Sequence, residues 1–524
     1  MNRFLPWFIV VSLAVLALSC RGGQPDTFVP SLKSVTVVEE VLVIPESGTA
    51  ELHFKVADPL FRFAGLRDIV LSPTAASASV PCSVTAVAAD PAAPEGSYVA
   101  TLTDSGSGTD YSVELRLGVR EKPGSDAIVL SAPFVVTNTG ARPGIYDTGL
   151  PVVQIDTKAG APVLNKEDWV AASMNIGGKD YPCSIRGRGN STWSWPKKPY
   201  AIKLDTKAEV LGMPAHKRWV LLANFMDRTL MRNIVSMKVA SLTSLAWTPS
   251  CVSVELVLNG KHLGNYLLAE QVKVDPRRVA IDSDSGFILE LDFHYDNEIQ
   301  WIDYRGHSDI FGNGIPFGIK HPDADKITPE RVQEIKKYIS DVSAVLYGAG
   351  FADPENGYRK YLDVESFIDY WLVFEVMGNH ELGNPGSVYM HKDKGGKLVA
   401  GPCWDFDWGI LSYKTSPKAR TGLINAKAIW YERLMADPAF RSAVRARFEQ
   451  LLPSFREIPE FMEETERRLQ KSAAVNFEMW DPSGDASANN GSIVNGDENM
   501  SFHAACVLLR DIFEERLEVI RKSL

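Results

Sequence analysis

Apolar residues follow two different patterns along the chain. From about residue 31 to 138, short β-branched runs such as SVTVVEEVLVI and YSVELRLGV alternate with Gly, Pro, Ser and Asp. Short strands at this spacing, with no helical period between them, predict a small β-sandwich of immunoglobulin type. The segments from 150 to about 292 are also strand-rich, with one helix near 229–243. Further on, apolar residues recur at three and four positions, which predicts amphipathic helices at 329–346, 364–377, 438–452, 458–471 and 502–522.

A strand-rich half followed by a helix-rich half predicts an α+β fold for residues 150–524. The 524 residues are too many for one hydrophobic core, so several domains are expected. We predict a signal peptide at 1–20, a tether at 21–30, the immunoglobulin-like sandwich at 31–140 and the α+β domain at 150–524. The segment TNTGARPGIYDTG, 137–149, has the composition of a linker between the last two.

The first twenty residues have the form of a secretory signal peptide. Arg3 precedes an apolar run at 5–18, which ends in ALSC at Cys20 and is too short to favour a membrane-spanning helix. A cysteine at the cleavage point resembles a bacterial lipobox. The resemblance implies that Cys20 is lipidated and anchors the protein in the cell envelope, at the outer membrane or the surface. A plain signal peptide with an incidental Cys20 is the alternative.

The net charge and the cysteine spacing argue against nucleic-acid binding, a zinc site and a disulfide framework. The net charge of -10 argues against broad nucleic-acid binding, so any basic patch must be local. The cysteines after residue 20 are scattered, odd in number and without a CxxC pair, which argues against a zinc site and a disulfide framework. Buried free thiols are the simpler expectation, with one bridge as the alternative.

One local basic stretch is SIRGRGNSTWSWPKKPYAIKLD, residues 184–205. Its glycines would let the backbone approach a phosphate, and arginine forks would bind the oxygens. The end of the stretch, YAIKLD, alternates like a strand, which would put Tyr200, Ile202 and Leu204 on one face and Lys203 on the other. A phosphate cradle and a surface hairpin whose side chains cover a core both fit this composition. The basic residues of the stretch are Arg186, Arg188, Lys197, Lys198 and Lys203.

The stretch AGPCWDFDWGI, 400–410, places Asp405 and Asp407 among large aromatic residues. If the stretch is a strand, the two carboxylates share a face. Carboxylates against aromatic walls need a neutralising partner, and Mg²⁺ is typically held by one or two carboxylates plus phosphates. The alternative is an edge strand with solvated aspartates.

A third stretch, EVMGNHELGNPGSVYMHKD at 375–393, follows an apolar helix, and loops at helix ends often display catalytic groups. Glu381 is its strongest candidate for a base, and His380 is expected to be a polar surface residue. Two supporting features are Asp227, an expected helix N-cap, and an Asn-Gly hairpin turn at 259–260 followed by a strand that ends at Glu270.

Four of these motifs, in this order, resemble the CotH family, named for spore coat protein H. They are RGRGNSTW…KKPYAIKL, DRTLMRN, NGKHLGNYLLAEQV and GPCWDFDWG, and the resemblance spans about 150–524. Family members are similar to atypical protein kinases that use ATP with a divalent metal such as Mg²⁺ or Mn²⁺.

The resemblance implies roles for individual residues. Lys203 would contact the nucleotide phosphates and pair with Glu270, and Asp405 or Asp407 would bind the metal. Glu381 falls where the family usually has an aspartate, and Ser387 falls near a usual metal-binding asparagine. Because glutamate is one methylene longer than aspartate, this departure puts the activity in doubt. The implied ATP-binding set is Arg186, Arg188, Asn190, Lys198, Lys203 and Glu270.

The predicted function is ATP- and metal-dependent phosphoryl transfer to a hydroxyl of an unknown protein acceptor. The main alternative is a non-catalytic surface lipoprotein that binds a glycan or a protein partner. A third hypothesis is a metal-dependent hydrolase that uses Asp405, Asp407 and Glu381.

Overall fold

The computed structural model describes most of the chain after residue 34. The predicted signal peptide, the tether and Cys20 lie outside the described residues. No helix within the described ranges is both long and apolar enough to cross a membrane. The described residues are 35–38, 41–44, 49–56, 69–73, 82–90, 97–104, 111–119, 128–138, 147–294, 299–308, 312, 314–480 and 495–524.

The N-terminal part contains two four-stranded sheets, with strand orders β1-β3-β6-β5 and β2-β8-β7-β4. Buried side chains of both sheets, among them Leu52, Phe54 and Leu115, form a single core. Two sheets on a shared core are the arrangement of a β-sandwich, and its immunoglobulin type stays a prediction. The strands are β1 Val35–Val37, β2 Val41–Ile44, β3 Thr49–Val56, β4 Ile69–Pro73, β5 Cys82–Ala89, β6 Ser97–Asp104, β7 Tyr111–Val119 and β8 Ile128–Asn138.

The next seven strands close into a barrel in the order β10-β11-β12-β13-β15-β14-β9. Its interior is filled with side chains, because alternate residues of each strand point inward. Tyr200, Ile202 and Leu204 are buried in this core and Lys203 is exposed, as the alternation predicts. The strands are β9 Val152–Thr157, β10 Val170–Ile176, β11 Lys179–Gly187, β12 Tyr200–Val210, β13 Met213–Leu222, β14 Cys251–Leu258 and β15 Lys261–Glu270.

A five-stranded sheet in the order β17-β18-β16-β19-β20 follows the barrel. Its strands are β16 Phe287–Leu291, β17 Gln300–Asp303, β18 Ile315–His321, β19 Val388–Lys392 and β20 Leu398–Ala400. Mixed helices and sheets confirm the α+β class.

Each of the predicted helices is present. The apolar helix α3 is almost entirely buried, and the Asp363 carboxylate caps it by accepting from the Ser366 N–H at 3.0 Å. A short helix, α4, was not predicted, since six residues are too few to show a period. The helices are α1 Arg232–Ser241, α2 Pro329–Leu346, α3 Val364–Val376, α4 Tyr431–Ala436, α5 Pro438–Phe455, α6 Ile458–Met479 and α7 Phe502–Ser523.

Candidate active site

A cleft of about 440 Å³ brings together segments that are far apart in the sequence. The loop after β11 contributes residues 188–192, and the segment after β15 contributes 271–273. The end of β16, the loop after α3 and the loop after β20 also line it. The three stretches singled out in the sequence therefore meet at one place.

Acidic side chains dominate one part of this cleft. Burial, and then repulsion from Asp405, hold the pKa of Glu381 well above its usual range. Burial and Asp405 also raise the pKa of Asp407, against the opposing charge of Arg188. Such a cluster of carboxylates disfavours its own charge unless a cation is present. The acidic residues that line the cleft are Glu290, Asp292, Glu381, Asp405 and Asp407.

The two aspartates lie in a loop, so the strand geometry considered for 400–410 does not apply. β20 ends at Ala400, and the following residues form turns rather than a ladder. Asp405 has a φ of 64° and Ser387 a φ of 53°, both in the left-handed region that few non-glycine residues adopt. The Ser387 hydroxyl donates to the Asp405 carboxylate at 3.4 Å. Backbone strain of this kind is concentrated at functional sites.

The start of helix α1 holds this aspartate loop from behind. The buried Arg232 guanidinium pairs with Asp227 at 2.5 Å and with Asp497 at 2.7 Å. Its Nε donates to the Ile410 carbonyl at 2.9 Å. Asn233 adds a second anchor, because its Oδ1 accepts from the backbone N–H of residue 406 at 2.9 Å. The DRTLMRN motif is therefore a support for the acidic loop.

Asp227 also contributes to the start of the helix. Its Oδ2 accepts from the Arg232 backbone N–H at 2.9 Å. The residue at the N-cap position itself is Met231, whose side chain makes no capping hydrogen bond. The prediction that Asp227 is the N-cap residue is therefore wrong: Asp227 lies four positions before the cap and reaches the Arg232 N–H with its side chain.

The loop that carries Glu381 is fixed by a neighbouring amide. The Glu381 N–H donates to Asn379 Oδ1 at 2.8 Å, and Asn379 Nδ2 donates back to the Glu381 carboxylate at 3.3 Å. One turn earlier, the fully buried Glu375 pairs with Arg516 at 2.5 Å and accepts from the Asn425 N–H at 2.6 Å. These contacts fix the end of α3 and the carboxylate that follows it.

The glycine-rich loop also lines the cleft. Arg188, Gly189 and Asn190 line it, and the Arg188 guanidinium lies 6.0 Å from the centre of the Trp404 ring. Gly189 has a φ of 86°, and a Cβ there would lie 2.0 Å from the Thr192 hydroxyl oxygen. Only glycine fits this turn.

Comparison with protein-family models agrees with this arrangement. The model of the family described as CotH kinase protein matches residues 185–519, well over half of the chain. The chain belongs to the CotH kinase protein family. No individual curated protein matches it. The match begins in β11 and ends in α7, so the CotH kinase domain includes every segment of the cleft.

The structure places several predicted ATP-binding residues outside the cleft lining. Lys203 is exposed on the outside of the barrel, and Glu270 is buried and paired with Arg278 at 3.2 Å. The predicted Lys203–Glu270 pair is not formed, because β13 separates their strands and the two side chains lie in different environments. The register places Lys203 opposite Arg218 on one side of β13 and Glu270 opposite Trp219 on its other side.

The remaining basic residues of the stretch also have structural contacts. Arg186 lies over the Trp169 ring at 4.7 Å, and Lys198 donates to the Trp193 carbonyl at 2.8 Å. Lys197 is fully buried and donates to Asn476 Oδ1 at 2.6 Å, and burial lowers its pKa to about 7. Within the stretch 184–205, only residues 188–192 therefore line the cleft. The basic side chains before and after them make contacts within the fold.

Two acidic residues and two lysines of the cleft were not identified from the sequence. Glu290 and Asp292 are two positions apart at the end of β16, a spacing that puts both on one face of a strand. Lys320 pairs with Glu290 at 2.5 Å, and Lys273 follows β15. The alternation in FILELD was the available signal for the acids, whereas the lysines come together only through the tertiary fold.

The acidic residues of the cleft in the CotH kinase domain can be compared with the ligands that the predicted metal ion requires. Within the described ranges, no three His, Cys, Asp or Glu side chains are grouped closely enough to hold an ion by themselves. Asp405 and Asp407 can supply two carboxylates, the number that a Mg²⁺ ion commonly takes from a protein when phosphate oxygens and water complete its shell. The donor set thus fits a cation that is shared with a nucleotide.

Proposed function

We propose that the cleft binds ATP with a divalent cation and transfers its γ-phosphoryl group to a hydroxyl of a protein acceptor. One observation carries the proposal: the glycine-rich loop, the paired aspartates and Glu381 line the same cleft. Membership of the CotH kinase protein family supports the use of ATP.

Arg188 and the backbone of residues 189–192 would hold the phosphates. Arginine offers a fork of N–H donors that matches phosphate oxygens, and glycine lets the backbone amides approach them. The Trp404 ring lies beside the Arg188 guanidinium, 6.0 Å from it. Positioning and charge stabilisation supply most of the catalysis in phosphoryl transfer, since the protein takes little covalent part.

Asp405 and Asp407 would hold Mg²⁺ or Mn²⁺. When bound, such an ion neutralises phosphate charge and orients the transferred group. Arg232 and Asn233 of α1 hold the aspartate loop through hydrogen bonds to its backbone, so the loop needs little rearrangement when a ligand binds.

Glu381 would accept the proton of the acceptor hydroxyl. A carboxylate whose pKa is raised above its usual range is a stronger base than an ordinary glutamate, and Asn379 fixes its orientation. The hydroxyl oxygen bonds to the γ-phosphorus while the bond from that phosphorus to the β–γ bridging oxygen breaks, the proton moves to Glu381, and ADP leaves with the electron pair of the broken bond.

Substitution of Glu381 tests this role. Glu381→Gln should retain ATP binding but lower phosphoryl transfer about a hundredfold or more, because proton acceptance is needed only during transfer. Glu381→Asp tests whether the site is built for the longer side chain: transfer should fall if Asn379 positions glutamate specifically. The measurement is ATP binding by calorimetry beside phosphate incorporation into the protein itself and a test protein. Equal transfer by wild type and Glu381→Gln would contradict the assignment.

Position 381 has a glutamate where the family usually has an aspartate, and position 387 has a serine near a usual asparagine. These two departures support the non-catalytic alternative. A wild-type protein that transfers no phosphate in that assay would instead be a surface protein that binds a glycan or protein partner.

We also propose that Cys20 is lipidated and that the protein is anchored in the bacterial cell envelope. The apolar run that ends in ALSC supports this proposal. Cys20→Ser should prevent lipid attachment and release the protein from membranes. Unchanged mass and unchanged membrane partition in that variant would contradict it.

A further inference from the structure

Four cationic side chains form a patch that begins in the cleft and continues onto the outside of the barrel. Lys273 and Lys320 line the cleft, whereas Arg186 on β11 and Arg218 on β13 lie outside its lining. We call these four residues the basic patch. It stands out on a protein whose net charge is -10.

The basic patch contains more positive charge than its acidic neighbours neutralise. Among the described residues, neither Arg218 nor Lys273 makes an ion pair or donates a side-chain hydrogen bond, and Lys320 alone has a carboxylate partner, Glu290. The Arg186 Nε is buried without an acceptor, and its Nη1 donates only to the Glu167 carbonyl, at 3.4 Å. Burial lowers the pKa of Lys273, and the charges of Arg218, Lys320 and Arg186 lower it further, against the opposing charge of Asp323.

Trp169 holds the two arginines in a defined orientation. The Arg186 and Arg218 guanidiniums lie 4.7 Å and 5.1 Å from the centre of its ring. Cation–π contact fixes the plane of a guanidinium and leaves N–H groups at its edge to bind carboxylate or phosphate in a bidentate manner. Like charges held together at such a surface indicate a site for an anionic ligand.

We propose that the basic patch binds an acidic segment of the acceptor polypeptide, beside the hydroxyl that enters the cleft. This proposal rests on the proposed function and names the class of its substrate. A ligand that touches all four residues must extend from the cleft over the barrel wall, as a polypeptide can. The phosphates of a nucleotide would lie at the Arg188 loop and would leave Arg186 and Arg218 without an anion.

Binding of a labelled peptide tests the basic patch without any need for catalysis. The probe is a fluorescent peptide with one serine flanked by glutamates, compared with a matched glutamine peptide by anisotropy, without nucleotide. The wild-type chain should prefer the glutamate peptide, and added salt should weaken the preference. Arg218→Glu should weaken glutamate-peptide binding by about tenfold or more. Lys179→Glu, the same charge reversal on an exposed residue at the other end of β11, should leave binding nearly unchanged.

Three results would overturn the proposal. Equal affinity for the two peptides would show that the patch does not select acidic segments. Loss of ATP binding in Arg218→Glu, with peptide binding unchanged, would assign the patch to the nucleotide. Binding of dextran sulfate through Arg218 without binding of the glutamate peptide would indicate an anionic glycan.

Lys273→Gln, a milder change, repeats the test should Arg218→Glu lower the melting temperature. A protein that binds the peptide but transfers no phosphate would refute the proposed catalysis and leave the basic patch intact.

Discussion

Glu381 and Asp407 are held where burial and neighbouring carboxylates disfavour their charged forms. A carboxyl group whose pKa is raised by folding binds a proton more tightly in the folded than in the unfolded chain. Its contribution to stability is full below the unfolded pKa, near 4, and is lost as the pH rises toward the folded pKa. The ligand-free site is therefore a local cost to stability at neutral pH, which is common where function requires converging charges.

Asp407→Asn should stabilise the ligand-free protein at neutral pH. The substitution keeps the size of the side chain and removes the charge, so the free energy of unfolding should rise by about 1 kcal/mol or more. The difference from wild type should shrink as the pH falls through 4, because below that pH the wild-type carboxyl group is protonated in both states. Denaturant unfolding at several pH values measures this, with the exposed Asp325→Asn as control. A variant less stable than wild type near pH 8 would contradict the account.

Individual site residues were predictable to different degrees. Asp405, Asp407, Glu381, Ser387, Arg188 and Asn190 lie on the cleft, as the motifs and the family resemblance implied. Lys203 does not, although its position opposite the core-facing residues of β12 was correct. Strand alternation predicts which side chains point away from the barrel core. Which of those outward side chains face the cleft depends on how the five-stranded sheet packs beside the barrel.

At the scale of elements, helix α1 and the aspartate loop form one unit through buried charges. Arg232 lies between Asp227 and Asp497, and all three side chains are almost fully buried. Removal of the central cation would leave two buried carboxylates without a neutralising charge, a more costly change than the loss of an exposed ion pair.

Arg232→Leu should therefore lower the free energy of unfolding by about 3–5 kcal/mol. It should also weaken metal-dependent ATP binding, because the Ile410 carbonyl loses its donor and the loop its anchor. Urea unfolding and calorimetry test the two effects. Arg456→Leu removes an exposed pair with Glu518 and should cost at most about 1 kcal/mol. Similar losses in both variants would show that the buried network does not support the loop.

The predictability of elements followed their length and regularity. The amphipathic helices and the turn at Asn259 and Gly260 were predicted well, and both turn residues have the positive φ that this hairpin requires. The sharing of one face by Asp405 and Asp407 was argued from strand geometry, but this segment is not a strand. Positive φ values at Gly401, Asp405 and Gly409 interrupt the ladder and bring the aspartates into the cleft instead.

At the scale of the whole molecule, the cleft depends on contacts that no local pattern shows. The barrel closes by parallel pairing of β9 with β14, although about a hundred residues separate them. The α+β class and the strand-rich and helix-rich halves were predictable from periodicity, whereas a closed barrel beside a separate five-stranded sheet was not. Cleft residues such as Glu290, Lys273 and Lys320 were missed for the same reason, since they become neighbours of the motif residues only once both sheets have formed.

Metal-dependent ATP binding is the most direct test of the account. Calorimetry of residues 21–524 should show ATP binding that requires Mg²⁺ or Mn²⁺, that Asp407→Asn abolishes and that Lys203→Ala leaves unchanged. The first substitution removes a proposed metal ligand from the cleft, and the second alters an exposed residue outside its lining. No ATP binding by wild type with either metal, or equal binding by wild type and Asp407→Asn, would contradict the assignment of this cleft.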